Sequence, residues 1–117
     1  MEKMIKLFDA LSDITRLRLY LLLSQGSLCV YELVNILKIE QSRISHGLKI
    51  LKEANLIKNK RQGNWIIYSV NQKFENNKFI QGLREEIKLY SRDLNNFNKC
   101  KKEKIREIKG KNNETKI

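Results

Sequence analysis

Cysteine, histidine and long hydrophobic runs are scarce in this chain, and each scarcity excludes a class of protein. Two cysteines in 117 residues are too few for a disulfide framework and are typical of a reducing compartment. One histidine, with no phosphate-binding glycine loop and no paired carboxylates, argues against an enzyme. No apolar run reaches bilayer length, and the N-terminal MEKMIKLFDAL lacks a signal-peptide cleavage site. We therefore expect a cytoplasmic protein without a membrane partner.

Acidic residues are also few, with 13 Asp and Glu against 24 Lys and Arg, which gives a net charge of +11. Such an excess favours a polyanionic partner. Residues 41–64 carry six Lys or Arg and one acid, and residues 99–111 carry seven against two. We interpret the first region as a candidate nucleic-acid surface. For the second, we favour a solubilising tail over a direct contact with nucleic acid.

The stretch IEQSRISHGLKILK, residues 39–52, predicts a helix with two different faces. Ile44, Leu48 and Leu51 recur at helical spacing and predict a buried stripe. The other face is polar and suits base edges and phosphates in a DNA major groove, although a merely solvated face is the alternative. Its candidate DNA-binding residues are Gln41, Ser42, Arg43, Ser45, His46 and Lys49.

Three helices are predicted before this stretch, at Glu2–Leu11, residues 14–24 and Val30–Leu37. Ser12 or Asp13 can cap the second helix, and Arg16 on that helix suits a structural role as well as a phosphate contact. We expect the core to contain Ile14, Leu17, Leu21, Val30, Leu33 and Leu37. The third helix, a short turn and the polar-faced helix then form a helix-turn-helix.

After Ala54 and Asn55 the hydrophobic period changes from helical to alternating, which predicts strands at residues 57–61 and Trp65–Val70. A β-hairpin directly after a helix-turn-helix is the wing of a winged helix. Its tip offers Lys60, Arg61, Gln62 and Asn64 to DNA, where the cations suit backbone phosphates or the minor groove. We expect Trp65 to pack at the root of the wing and not to stack on a base.

The last segment predicts one long helix that begins between Phe74 and Phe79 and runs towards Ile108. Its apolar residues repeat every three and a half residues, which is typical of a helix with a partner helix. We assign this seam to a homodimer, with help from the first helix, and packing within one chain is the alternative. The predicted interface residues are Leu83, Ile87, Tyr90, Leu94 and Phe97.

The predicted fold is therefore mostly α with a small β part. It is a winged helix-turn-helix of about five helices with a two-stranded wing and a long C-terminal dimerisation helix. Residues 1–98 would form the DNA-binding and dimerisation domain. Residues 99–117 would form a basic helix end and a disordered tail.

Residues 5–71 resemble the ArsR/SmtB family of dimeric winged-helix repressors. The likeness lies in DITRLR, SRISHGLK, LKEANLI and GNWIIYS, which occur in the family's order and spacing. It implies a repressor that blocks a promoter, and many members release DNA when a metal or another thiol-seeking effector binds. Three residues depart from the family pattern, namely Ile14, Glu40 and Gly47. The glycine should cost about 1 kcal/mol in helix propensity relative to alanine.

The effector site that the resemblance implies is incomplete here. The segment SLCVYEL looks like the thiol site of arsenic sensors, but only Cys29 of its cysteines is present, with Tyr31 and Val34 at the other positions. One thiolate cannot form the multi-sulfur site that soft metals require. In some members that sense oxidants or reactive sulfur, an N-terminal cysteine pairs with one in the last helix, here Cys100. Such a pair needs Cα atoms within about 7 Å.

We favour an inert, buried Cys29 over either kind of sensor. If the chain is a sensor, the lysines that flank Cys100 would favour its thiolate and make it the first site of attack. A thiol-bound metal or metalloid is then the one cofactor that remains open.

Three functions stay open at this point. The chain is a sequence-specific dimeric repressor of operator DNA, a sensor that uses Cys29 and Cys100, or a non-specific architectural DNA binder. For the repressor, we expect Ser42, Arg43, Ser45 and His46 to select the sequence. We expect Lys60 and Arg61 to set the strength of binding to any DNA.

Overall fold

The structure is a computed structural model that describes residues 1–74, 78–86 and 88–103. This part of the chain contains six α-helices and one antiparallel hairpin. In chain order they are α1 (Glu2–Leu11), α2 (Ile14–Leu23), α3 (Val30–Leu37), α4 (Gln41–Glu53), β1 (Ile57–Gln62), β2 (Trp65–Val70), α5 (Lys78–Glu86) and α6 (Lys88–Glu103), with a 3₁₀ turn at Gln72–Phe74. The predicted bounds of α1, α3 and β2 are confirmed. The predicted long C-terminal helix is consistent with α5 and α6, and its expected extension to Ile108 lies outside the described residues.

Side chains of Asp13 and Arg16 help to hold the turn between α1 and α2. The carboxylate of Asp13 caps α2 by accepting a hydrogen bond from the backbone N–H of Arg16 at 3.1 Å. The Arg16 guanidinium donates through Nε to the carbonyl of Ala10 at 2.8 Å, so it satisfies the C-terminal end of α1. Arg16 therefore has the structural role that its sequence position allowed.

Helix α2 is the centre of the core. Residues 19–23 are buried in succession, at 2% exposure or less, which fits a helix surrounded on several sides. It packs against α1, α4, α6 and β2. The buried stripes predicted for α3 and α4 are confirmed. Ile14 was wrongly assigned to the core, since it is 52% exposed while its neighbour Thr15 is buried.

Helix α6 lies across α2 and α3 and is fixed by polar contacts. The Arg18 guanidinium donates to both carboxylate oxygens of Asp93 at 2.8 Å. This hydrogen bonding raises the pKa of Arg18, and burial opposes it only in part. The Asn96 amide donates to the carbonyl of Ile36 near the end of α3, at 3.1 Å. The first pair of bonds joins the last helix to α2, and the Asn96 bond joins it to the helix-turn-helix.

Phe97 corrects the predicted dimer seam. It is 8% exposed and belongs to the hydrophobic core. A Cβ atom placed on Gly26 would lie 3.1 Å from its ring. Leu83 is half-buried against the same core, and Leu94 is half-buried. Ile87 and the side chain of Tyr90 lie outside the described part. Phe97 faces inward because α6 lies across the short connection between α2 and α3, which a period in sequence cannot reveal.

Candidate DNA interface

The two faces predicted for α4 are present. Ile44, Leu48 and Leu51 are fully buried. Along the opposite side, Gln41, Ser42, Arg43, His46 and Lys49 are exposed, and Ser45 is half-buried. Helix α3 and residues 38–40 precede this helix, and Lys38 makes the connection in the left-handed conformation, with φ of 58°. An exposed helix with short polar tips and cations is what a major groove accepts.

Helices α2 and α4 approach each other closely at Gly47. A Cβ atom at this position would lie 2.8 Å from Cδ1 of Leu19 and 3.4 Å from Cγ of Arg16. Any larger residue would force the two helices apart or displace the buried Leu19. The departure at Gly47 that looked unfavourable for helix propensity therefore has a packing reason.

An open cleft of about 260 Å³ lies between these two helices. Across it, Nη2 of Arg43 donates to the hydroxyl of Thr15 at 3.2 Å. The residues that line this α2–α4 cleft are Asp13, Thr15, Arg16, Ser42, Arg43, His46 and Gly47. Sequence reasoning predicted Ser42, Arg43 and His46 for DNA, but it missed Thr15, whose partner Arg43 is 28 residues away.

The wing is a regular antiparallel hairpin. Ile57 pairs with Val70 at its root and Gln62 with Trp65 at its tip. Gly63 and Asn64 form the two-residue turn, and Gly63 has φ of 64°, which favours glycine. The predicted DNA-binding residues Lys60, Arg61, Gln62 and Asn64 are all exposed there.

Trp65 corrects one detail of the predicted wing. It lies next to the turn and not at the root. Its ring packs edge-to-face on Tyr31 of α3, with centroids 5.8 Å apart. The indole is half-buried, so it joins the wing tip to the helix-turn-helix. The alternating strand pattern predicted the side of the hairpin on which Trp65 lies, but not its contact with Tyr31 on α3.

The wing is also tied to the segment before α3. The backbone of Leu28 exchanges two hydrogen bonds with that of Tyr68, at 3.0 and 2.9 Å. At the root of the wing, the Asn71 amide donates to the carbonyl of Asn55 at 2.9 Å. The wing and α4 are therefore held in one unit at fixed spacing.

Both thiols are buried, at 1% exposure each, and neither is in a disulfide. Burial raises the pKa of Cys100 to about 11, with the nearby Glu32 carboxylate as a second cause and Lys101 opposing both. The prediction that flanking lysines favour a Cys100 thiolate is therefore wrong. Those lysines project to solvent or to other partners, while the thiol faces the core.

Glu32 organises the surroundings of these thiols. Its carboxylate accepts a hydrogen bond from the backbone N–H of Cys29 at 2.9 Å, and Nζ of Lys101 lies 3.6 Å from its second oxygen. Lys101 also donates to the carbonyl of Ser27 at 3.2 Å. Among the described residues, no three His, Cys, Asp or Glu side chains are grouped to hold a metal ion.

A different surface is apolar and exposed. Met4, Ile5 and Phe8 on α1 are 58%, 61% and 45% exposed, and Phe79 on α5 is 49% exposed. The rings of Phe8 and Phe79 pack edge-to-face with centroids 5.3 Å apart. This apolar surface joins the first helix to α5 within one chain. Of the helices in the described ranges, none has the length and hydropathy to cross a membrane.

A helix-turn-helix followed by a basic wing defines a winged-helix DNA-binding protein. The sequence profile described as "Bacterial regulatory protein, arsR family" matches residues 13–59. The chain is 41% identical over 70 residues to the uncharacterized HTH-type transcriptional regulator MJ1325 of Methanocaldococcus jannaschii, covering 59% of this chain and 79% of that protein. The chain belongs to the ArsR/SmtB family of transcriptional regulators.

In further examples, either a smaller share of the relative is covered or the sequence identity is lower. The arsenical resistance operon repressor of Bacillus subtilis is 43% identical over 65 residues, which are 55% of this chain and 62% of that protein. Among solved structures, the transcriptional repressor BigR of Xylella fastidiosa has a TM-score of 0.64 at 25% identity, over 72% of this chain and 85% of the other. Reduced HlyU of Vibrio cholerae has a TM-score of 0.65 at 24% identity, over 72% and 87%, and shows the same fold.

Proposed function

We propose that the protein is a homodimeric repressor that binds a specific operator sequence and blocks its promoter. The observation that carries this proposal is the placement of the exposed polar side of α4 and the exposed basic wing tip within one tightly connected unit. We call these two surfaces together the DNA face. A helix for the major groove and a flanking cationic hairpin are the two parts that a winged helix needs.

The side chains of the DNA face divide by chemistry. Gln41, Ser42, Ser45 and His46 have short donor and acceptor groups that can pair with base edges. Lys49, Lys60 and Arg61 are cations that suit phosphates, and Gln62 and Asn64 can donate to phosphate or sugar oxygens beside them. Sequence choice then depends on α4, and the wing adds affinity for any duplex.

Dimerisation is supported by the exposed apolar side chains of α1 and α5. Two recognition helices related by a twofold axis contact half-sites about one helical turn apart, roughly 34–36 Å. A single 117-residue chain presents one such helix, so operator affinity depends on the pair. The exposed residues Ile5 and Phe79 offer a test that leaves the core of each protomer intact.

For that test, Ile5→Lys with Phe79→Lys should give a folded monomer that binds a palindromic duplex weakly. Sedimentation velocity at micromolar concentration measures the assembly, and Lys3→Gln on the same helix is the matched control. A monomeric wild type would overturn the dimer.

The function itself is tested by selection of duplexes from a random pool with the wild-type protein. We expect enrichment of one inverted repeat, with an affinity at least a hundredfold above that for scrambled DNA at physiological salt. This preference for one sequence should disappear when Ser42 and His46 are replaced by Ala. Equal affinity for every duplex would overturn the repressor and favour the architectural binder.

A second candidate function is a thiol-based sensor. Its support is the position of the two cysteines, with Cys29 at the start of α3 and Cys100 on α6, near enough for Cys29 to contribute to the raised pKa of Cys100. Joining them by peroxide would remove two protons and two electrons from the thiols and reduce the peroxide to water. Because α3 is the first helix of the helix-turn-helix, a change there would reach the DNA face.

The sensor is tested by the operator affinity of the wild type, Cys29→Ser and Cys100→Ser, with and without arsenite, zinc, peroxide or a persulfide donor. A loss of affinity in the wild type that disappears in both variants supports a paired-thiol switch. If no reagent changes the operator affinity of the wild type, the sensor is excluded and the repressor proposal is unaffected.

A further inference from the structure

The α2–α4 cleft is built by the missing side chain at Gly47. A Cβ atom there would lie 2.8 Å from Cδ1 of Leu19 and 3.4 Å from Cγ of Arg16, so a larger residue would require the Leu19 side chain or the two helices to shift. Arg43 lies one helical turn before Gly47 and therefore on the same side of α4. Its guanidinium reaches across to the Thr15 hydroxyl at 3.2 Å. Arg43 thus lies on the flank of α4 that faces α2.

The charged side chains in this cleft differ in whether they are free to bind a ligand. Asp13 is committed to α2, where its carboxylate accepts the N–H of Arg16 and lies 3.9 Å from that guanidinium. Arg16 donates to the carbonyls of Ala10 and Asp9. Arg43 is exposed on the open side of the cleft, beside the hydroxyl of Ser42. The groups that remain for a ligand can all donate a hydrogen bond, and one of them, Arg43, is a permanent cation.

We propose that the α2–α4 cleft receives a backbone phosphate of the bound DNA, with Arg43 as its cationic contact and Thr15 as the residue that orients Arg43. This inference rests on the proposed function, because it needs α4 in the major groove. It separates Arg43 from the base-reading residues with which the sequence pattern had grouped it. An arginine and a hydroxyl donor match phosphate oxygens. The sides of a helix that lies in a major groove face the phosphates at the groove edges, whereas the side chains directed at the groove floor meet the bases.

Thr15 has a defined part in this arrangement. An unrestrained arginine loses rotamer entropy when it binds. The hydrogen bond to Thr15 restricts that freedom before DNA arrives. Thr15 is 6% exposed, so it acts through Arg43 and does not itself meet the bulk of the DNA.

The test measures binding of the full-length protein to a duplex selected by the wild type and to a scrambled duplex, by fluorescence anisotropy over a range of salt. Arg43→Ala should weaken both complexes by a similar factor, on the order of tenfold, and lower the salt slope by about 0.9. Thr15→Val should weaken both by a smaller common factor and add nothing to Arg43→Ala. Thr15→Ser keeps the hydroxyl and should bind as the wild type does.

One neutral methylphosphonate, moved along the selected duplex, identifies the phosphate. At one position in each half-site it should weaken the wild type and leave Arg43→Ala unaffected. The inference is overturned if Arg43→Ala loses affinity for the selected duplex alone, if its salt slope is unchanged, or if a new selection with it yields a different preferred base. A wild type that prefers no sequence would instead defeat the proposed repressor, while the salt slopes would still test the cleft.

Discussion

Two sides of this molecule use their charged side chains in opposite ways. Where α6 crosses α2 and α3, polar groups are paired within the chain, as in the Arg18–Asp93 pair with side chains 13% and 2% exposed. On the DNA face, Lys49, Lys60 and Arg61 project into solvent. The first arrangement fixes one helix on another. The second leaves cations available for a polyanion, so the difference separates residues that hold the fold from residues that hold a partner.

The comparison also explains why net charge alone is a poor guide to the interface. Arg16 and Arg18 lie in the sequence DITRLR, yet both donate to groups of their own chain. Lys101, in the second basic region, is paired with Glu32. Positive charge is available to DNA where the cation is exposed and is not paired with a carboxylate of the protein. Arg61 meets this condition, since it stays exposed although its Nε donates to the carbonyl of Gly63 at 3.3 Å.

The largest effect should come from breaking the paired side. Asp93→Ala leaves the Arg18 guanidinium buried without its carboxylate, and we expect a loss of about 3–5 kcal/mol in the free energy of unfolding. Urea denaturation followed by circular dichroism measures it. Arg92→Ala, at an exposed position one residue earlier, is the control and should change stability little. Equal losses in the two variants would mean that the ion pair does not anchor α6.

An intermediate effect should appear at high pH. The unfolded Cys100 thiol ionises near its ordinary value of 9.0, whereas in the folded protein its pKa is about 11. Between these values the unfolded state binds fewer protons, so stability falls as pH rises from 9 to 11, by roughly 2 kcal/mol. Cys100→Ala should remove that part of the decline. Unfolding curves at several pH values test this, and parallel pH profiles for the two proteins would contradict it.

The smallest effect on stability, and a clear one on binding, is expected at the wing. Lys60→Gln with Arg61→Gln should leave unfolding unchanged, because both side chains are exposed. The variant should bind selected and scrambled duplexes more weakly by a similar factor, with a salt slope lowered by about 1 for each phosphate that the wing no longer neutralises. Lys3→Gln removes a charge on α1 and should bind as the wild type does. A loss confined to the selected duplex would make the wing a reader of sequence.

Local periodicity predicted most of the architecture. The bounds of α1, α3 and β2, the cap of α2 expected at Ser12 or Asp13 and found at Asp13, and the buried stripe of α4 all depend on residues within a few positions of one another. The turn at Gly63 and Asn64 is equally local. The two faces of α4 could therefore be predicted correctly, together with the exposure of the wing tip.

The predictions that were wrong or incomplete depend on residues far apart in sequence. The Arg18–Asp93 pair spans 75 positions, and Arg43 meets Thr15 across 28. Cys100 has lysines beside it in sequence, but burial in the core and then the nearby Glu32 carboxylate raise its pKa, which reverses the expected direction. Gly47 looked costly as a helix residue because its contact, Leu19, belongs to another helix.

The β-bridge between Leu28 and Tyr68 has a further consequence for how this protein measures DNA. This bridge joins the hairpin to the segment just before α3, and the Tyr31–Trp65 contact joins the residue next to the hairpin turn to the first turn of α3. Because the hairpin is held at both points, the wing cannot move independently of α4. The two elements are therefore held at a fixed separation. On the proposed function, in which both elements contact the same half-site, one added base pair between the two contacted segments would rotate one segment by roughly 35° about the duplex axis relative to the other. Because the separation of α4 and the wing is fixed, the complex must then twist the DNA or lose the contact of one element. The length of a half-site is therefore specified as strictly as its base sequence.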